Sequence, residues 1–200
     1  MTRILLIEDN ADHAELIERS LKKGFGPIRL KVAASAEEAY ETLDDKKFDL
    51  ILSDYYLPDV DGDEHIRQLS LRAPRVPVVI ITGQGDEKVA AKSIQSGAED
   101  YIVKTREALE VLPTILKRAM VKHRSHQSKK QKEIRKHLND HEEKVKKVLG
   151  EVEKIGRRMR NLTKRASGNG SAKPEDSGTL DNLARQIESL KKFVKGFFKK

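Results

Sequence analysis

Five short aliphatic runs, at residues 3–7, 28–33, 48–53, 77–81 and 100–103, alternate with longer segments whose apolar residues recur at helical spacing. The runs are rich in Ile, Leu and Val and too short for helices, which marks them as strands buried on both faces. Between them, Ala14, Leu16, Ile17 and Leu21 trace one helix face, Ala36, Ala39, Tyr40 and Leu43 a second, and Ile66, Leu69 and Leu71 a third. Val89, Ala90 and Ile94 trace a fourth. Ser35 with Glu38 three residues on forms a capping box, and Gly24, Gly26 and Pro27 stop the first helix. Strand–helix units repeated in this way bury a parallel sheet between helices joined by right-handed crossovers, so the chain opens as a doubly wound α/β layer.

Ligands of such a sheet bind at the carboxyl ends of its strands, and the residues closing the runs are chemically selective. Glu8 and Asp9 close the first run, Asp54 the third, Thr82 the fourth and Lys104 the fifth. Pro58, Asp61 and Gly62 open a turn after Asp54. Three acids, a hydroxyl and an ammonium on one edge form a site for a divalent cation and a phosphoryl group. Taken singly, Thr82 reads better as a turn cap and Tyr101 as a core aromatic; the full set favours the functional reading.

The order and spacing of Glu8-Asp9, Asp54, Pro58 with Gly62, Thr82-Gly83, and Tyr101 before Lys104 resemble the receiver domain of two-component response regulators, from about Thr2 to Met120. The resemblance implies a flavodoxin-like (βα)5 fold with strand order 2-1-3-4-5. It implies Mg²⁺ held by Asp9, Asp54 and the backbone carbonyl of Tyr56, with Glu8 acting largely through water. Asp54 would be the phosphoacceptor, Lys104 would hold a phosphoryl oxygen, and Thr82 and Tyr101 would move on modification. A histidine kinase or phosphotransfer protein is the implied donor. Thr105 stands where receivers usually carry proline, so a trans bond is expected after Lys104. Tyr56 and Gln84 flank the path by which water would attack an acyl phosphate. Phosphatases that use an aspartyl intermediate are the competing enzymes, but their Asp-x-Asp motif is missing because Tyr55 and Tyr56 follow Asp54. No reaction beyond the chain's own phosphotransfer and autodephosphorylation is expected.

The net charge of +8 hides a division: residues 1–116 hold 15 Lys/Arg and 22 Asp/Glu, residues 117–200 hold 25 and 10. Pro113 suits the first turn of a fifth helix. Apolar residues then follow a seven-residue period, with Leu138, Val145, Val152 and Met159 at one position and Ile134, Val148, Ile155 and Leu162 at the other. Gln131 and His141 interrupt this coiled-coil-like seam, and a bend near 123–132 is the alternative to one continuous helix. His137 and His141, one turn apart, read as solvated or seam histidines. The expected divisions are a receiver at 1–122, a basic helical extension at 123–165, a flexible linker at 166–178 and a cationic amphipathic helix at 179–200. Leu180, Leu183, Ile187, Leu190, Val194 and Phe197 form the apolar face of that last helix, with Phe193 and Phe198 beside it and Lys191, Lys192 and Lys195 around it.

Three readings of the basic extension stand: a homodimer through the heptads, a last helix on an anionic membrane surface or in a protein groove, and a DNA- or RNA-binding tail. Aromatics confined to the far amphipathic face disfavour base stacking. Packing of the last helix back along the heptads as a hairpin stands level with membrane binding. The sequence has no cysteine, which excludes disulfides and thiolate metal sites, and no run approaches the ~20 apolar residues of a membrane span. The start, Met-Thr-Arg and a few aliphatic residues, is too short for a signal peptide. A cytoplasmic protein, peripheral at the membrane if the last helix binds lipid, is the expectation.

Overall fold

The computed structural model describes residues 1–162 in full, the backbone of 163–168, and residues 182, 185–189 and 192. The chain divides into two compact units, Met1–Lys130 and Gln131–Lys200. The first is built from β1 (Thr2–Ile7), α1 (Ala11–Phe25), β2 (Ile28–Ala33), α2 (Ala36–Asp45), β3 (Leu50–Asp54), α3 (Gly62–Arg72), β4 (Val78–Thr82), α4 (Glu87–Ser96), β5 (Asp100–Val103) and the start of α5 (Arg106–Gly168). The strands form one parallel sheet in the order β2-β1-β3-β4-β5, as expected. β3 begins two residues later than the aliphatic run and ends on Asp54. Just before β3, the Asp49 carboxylate accepts from Arg3 N, Nε and Nη2 at 2.9, 3.1 and 2.8 Å.

Both faces of the sheet are covered, which is why its strands are aliphatic without alternation. On one face Leu5, Ile7, Ile51 and Ile80 pack with Ala36 and Ala39 of α2 and Ile66 and Leu69 of α3. On the other, Ile4, Leu6, Leu52, Val79 and Ile81 pack with Ile17 and Leu21 of α1 and with Leu112, Leu116 and Ala119 of α5. α4 is the most lightly anchored helix; Ser93 is its one fully buried residue.

α5 starts at Arg106, not at Pro113, and Pro113 lies inside it. Thr105 begins the helix by accepting from the Ala108 amide at 3.1 Å. An interior proline has no N–H for the carbonyl four residues back, here Leu109. The Ser20 hydroxyl of α1 replaces that donor with a hydrogen bond to the Leu109 oxygen. The proline ring fits because α1 presents Gly24 to it, where a Cβ would stand 2.5 Å from the ring Cγ. Further along, Glu99, just before β5, collects three α5 side chains: His123 Nδ1 at 2.9 Å, Lys122 Nζ at 3.3 Å and His126 Nδ1 at 3.5 Å.

α5 stays helical through 123–132 and onward to Gly168, the last residue described there, so residues 166–168 of the expected linker are helical. In the second unit Val145, Val152 and Met159 are half-buried. Ile134, Leu138, Val148, Ile155 and Leu162 are exposed. Ile187 lies against Gly156, its Cγ2 3.4 Å from where a Cβ would be, and Arg160 pairs with Glu188 at 4.0 Å. Among the described residues no helix is long and apolar enough to cross a membrane.

One polar chain crosses the α2–α3 face of the first unit. His65 is fully buried, with Tyr40 Oη 2.8 Å from Nδ1 and Ser53 Oγ 3.0 Å from Nε2. Burial pushes its pKa down to about 4 from the ordinary 6.5, against a weaker upward pull from Asp59.

Two outcomes are expected. Ser20→Ala strands the Leu109 carbonyl and should cost about 1–2 kcal/mol, read as a lower urea midpoint at unchanged slope. Pro113→Ala restores an amide donor to that carbonyl, so in a double-mutant cycle the Ser20 effect should shrink. For His65, the unfolded chain takes up a proton near pH 6.5 while the folded one resists until about 4. Its contribution to stability is therefore complete above pH 6.5, falls as pH drops through that window and stops falling below 4. The loss totals about 3 kcal/mol for that depression. Urea unfolding at stepped pH should show a flatter acid limb for His65→Leu than for the native chain.

Candidate functional site at the carboxyl edge of the sheet

The strand ends bring the expected residues together. Glu8 follows β1 directly and its side chain is wholly buried, whereas Asp9, next in the chain, is exposed. Asp54 ends β3, which runs beside β1, with its side chain 10% exposed. One carboxylate oxygen from each of the three lies within 4.8 Å of the others. Lys104, after β5, reaches across the end of β4 to place Nζ 2.7 Å from Glu8 Oε2 and 2.5 Å from Asp54 Oδ2.

Burial, joined by repulsion from Asp54, holds the Glu8 pKa above its ordinary value against the lowering pull of the Lys104 ammonium. The second Glu8 oxygen meets His13 Nδ1 of α1 at 3.1 Å. Asp54 Oδ1 accepts from the Tyr56 amide at 3.2 Å, which turns the chain out of β3. An all-oxygen set with three carboxylates and one ammonium carries excess negative charge, and this donor set fits a hard divalent cation.

Thr82 is buried at the end of β4, where its hydroxyl accepts from the Gln84 amide at 3.3 Å. Tyr101 directs its hydroxyl to the Gln84 carbonyl at 2.9 Å and is half-buried. Tyr56 is 48% exposed at the mouth of the site. With Asp9, Pro58, Asp61 and Gly62 it lines an open depression of about 400 Å³. Gly62 is required there: a Cβ would stand 2.7 Å from the Tyr55 ring and from the Tyr55 carbonyl oxygen. No peptide bond among the described residues is cis, so the bond from Lys104 to Thr105 is trans.

Four neighbours were not singled out from sequence. His13 extends the hydrogen bonding of Glu8. Asp59, in the loop after β3, accepts from the Ala36 and Glu37 amides at 3.2 and 3.1 Å and so caps α2. Ser53 and His65 lie behind Asp54. No local pattern marks Asp59 as a cap, because its target lies 23 residues back in the chain. Of the expected tail residues, Ile187 is half-buried and Lys192 exposed. Leu180, Leu183, Leu190, Lys191, Phe193, Val194, Lys195, Phe197 and Phe198 lie outside the described residues.

Comparison with known proteins agrees with this geometry. The family model of the response regulator receiver domain matches residues 4–116. The methanogenesis regulatory protein FilR1 of Methanothrix harundinacea is 33% identical over 129 residues, 60% of this chain and 28% of its own. The transcriptional regulatory protein AfsQ1 of Streptomyces coelicolor is 35% identical over 52% of this chain and 45% of its own. This chain therefore spans less than half the length of either curated relative. Among solved structures, the beryllofluoride-activated NtrC4 receiver domain dimer is 26% identical with a TM-score of 0.55, covering 62% of this chain and 99% of its own. The Mn²⁺-bound response regulator Rcp1 is 25% identical with a TM-score of 0.51, covering 56% of this chain and 89% of its own. A sheet in the order 2-1-3-4-5, acids and a lysine at its strand ends, and a family match over more than half the chain agree: this chain belongs to the response regulator receiver domain family.

Proposed function

We propose that the chain is a response regulator whose Asp54 accepts a phosphoryl group and whose helical extension carries the output. The observation behind this reading is the Asp54 carboxylate at a strand end, 2.5 Å from the Lys104 ammonium and grouped with Glu8 and Asp9. Glu8, Asp9 and Asp54, with the Tyr56 carbonyl, would hold Mg²⁺, which when bound supplies positive charge for the transferring group.

An Asp54 oxygen attacks phosphorus, the bond from phosphorus to the donor's leaving atom breaks, and the electron pair leaves with the donor. Lys104 is placed to follow the charge from the carboxylate to a phosphoryl oxygen. The Thr82 hydroxyl turns to the new group, which loosens its loop, and Tyr101 exchanges its bond to Gln84 for an inward position. A histidine kinase or phosphotransfer protein is the proposed donor. The reading includes no substrate turnover beyond this exchange.

For the extension, the contact of Ile187 with Gly156 favours a last helix folded back along α5. The exposed Ile134, Leu138, Val148, Ile155 and Leu162 then remain for a second copy or another helical partner. A cytoplasmic location goes with a cytoplasmic donor.

The native chain with Mg²⁺ and acetyl phosphate should gain the mass of one phosphoryl group, and Asp54→Asn or removal of Mg²⁺ should abolish the gain. Uptake that survives Asp54→Asn would overturn the assignment. Truncation after residue 178 should expose Val152 and Met159 and raise the self-associated fraction in size-exclusion light scattering. Flotation of the full-length protein, but not the truncated one, with anionic liposomes would assign the last helix to lipid instead.

A further inference from the structure

Asp54 is held at two places. Its carboxylate meets Lys104 and the Tyr56 amide. Its main-chain carbonyl accepts from Ser53 Oγ at 2.8 Å. A carbonyl can only accept, so the single hydroxyl hydrogen of Ser53 points to Asp54. Ser53 Oγ must then accept from His65 Nε2, 3.0 Å away, which puts the imidazole N–H on Nε2. Nδ1 is left as an acceptor, and Tyr40 Oη, 2.8 Å away, is its donor. One arrangement of hydrogens satisfies all three groups, and each hydrogen points toward Asp54. Burial keeps the imidazole neutral, as this arrangement needs.

The far end of the chain is fixed at the surface. The Arg72 guanidinium of α3 sits over the Tyr40 ring, 4.8 Å from its centre, and reaches Asp44 of α2 at 3.4 Å. α2 also grips the other side of the turn, because Asp59 caps its first amides. The loop that leaves Asp54 is thus bracketed by two links to α2, one at its start through Ser53, His65 and Tyr40 and one further on through Asp59.

We propose that Tyr40, His65 and Ser53 form a positioning relay that fixes the Asp54 peptide. It thereby sets the direction of both the reactive carboxylate and the loop bearing the Tyr56 carbonyl. The relay rests on the reading of Asp54 as phosphoacceptor and adds three residues to it, none of which touches the phosphoryl group. Through it, α2 and α3 tune how readily Asp54 reacts.

The test uses the full-length chain with acetyl phosphate at saturating Mg²⁺, following phosphorylation rate, Mg²⁺ affinity by calorimetry and thermal midpoint. Ser53→Ala should lower the phosphorylation rate about five- to tenfold, the value of one positioning hydrogen bond. Tyr40→Phe removes one oxygen from a half-buried ring and will fold. It should slow the reaction about two- to threefold, since it acts through two intervening bonds, each with some slack. A purely structural role would shift the thermal midpoint and leave the rates alone. A reactive native chain with native rates in both variants overturns the relay while the phosphoacceptor reading stands. A native chain that takes up no phosphoryl group overturns that reading and the relay with it.

Discussion

The ammonium of Lys104 lies between two carboxylates that could not otherwise share so small and dry a space. Glu8 and Asp54 each give it an oxygen within 2.7 Å, and all three side chains are nearly or wholly buried. Burial is the largest influence on Glu8, and with the Asp54 carboxylate beside it the Glu8 pKa is held above its ordinary value despite the lysine. The sheet order answers this. β1 and β3 are neighbours, so their acids are adjacent, while β5 is two strands from β3, roughly 10 Å at the usual strand spacing. Lys104 therefore has to cross the end of β4. Thr82, small and fully buried there, leaves that path open. A longer side chain at Thr82 would obstruct the lysine, and a shorter one at 104 would leave two carboxylates without a counter-charge.

These constraints were legible in the sequence because they lie at the ends of aliphatic runs. Each strand announces itself by composition, and the residue that closes it shows which chemistry reaches the edge. The contacts that stiffen the site were not legible in the same way. Ser20 and the Leu109 carbonyl are 89 residues apart, and nothing local marks either as polar glue. Pro113 invited the opposite error. A proline near an apolar stripe is usually a first-turn residue, yet here a hydroxyl from α1 and the bare backbone of Gly24 make an interior position tolerable. His65 occupies a place in the α3 pattern that an aliphatic residue would fill equally well, and only the positions of Tyr40 and Ser53 give its two nitrogens their partners.

In the second unit the seven-residue period was legible but the partner was not. A helix with one apolar stripe needs one neighbour; this one has two. Val145, Val152 and Met159 are partly covered, with Ile187 against the adjacent Gly156, while Ile134, Val148, Ile155 and Leu162 face solvent. A Cβ at 156 would meet the Ile187 methyl at 3.4 Å, an ordinary van der Waals contact. The uncovered stripe keeps its heptad register from Ile134 to Leu162 apart from His141, the pattern a further helix would read.

α5 is the element common to both units, and its anchoring in the first differs along its length. Leu112, Leu116 and Ala119 pack into the core that includes Val79 and Ile81 of β4, the strand that ends at Thr82. One turn beyond, the hold becomes polar, with Lys122, His123 and His126 gathered on the Glu99 carboxylate just before β5. Packed aliphatic contacts resist small displacements, because voids and overlaps both cost free energy. Contacts made by exposed groups such as Lys122 and His126 can exchange partners at little cost. The first unit therefore holds α5 by close packing as far as Met120 and, from Lys122 to Gln127, by polar contacts alone.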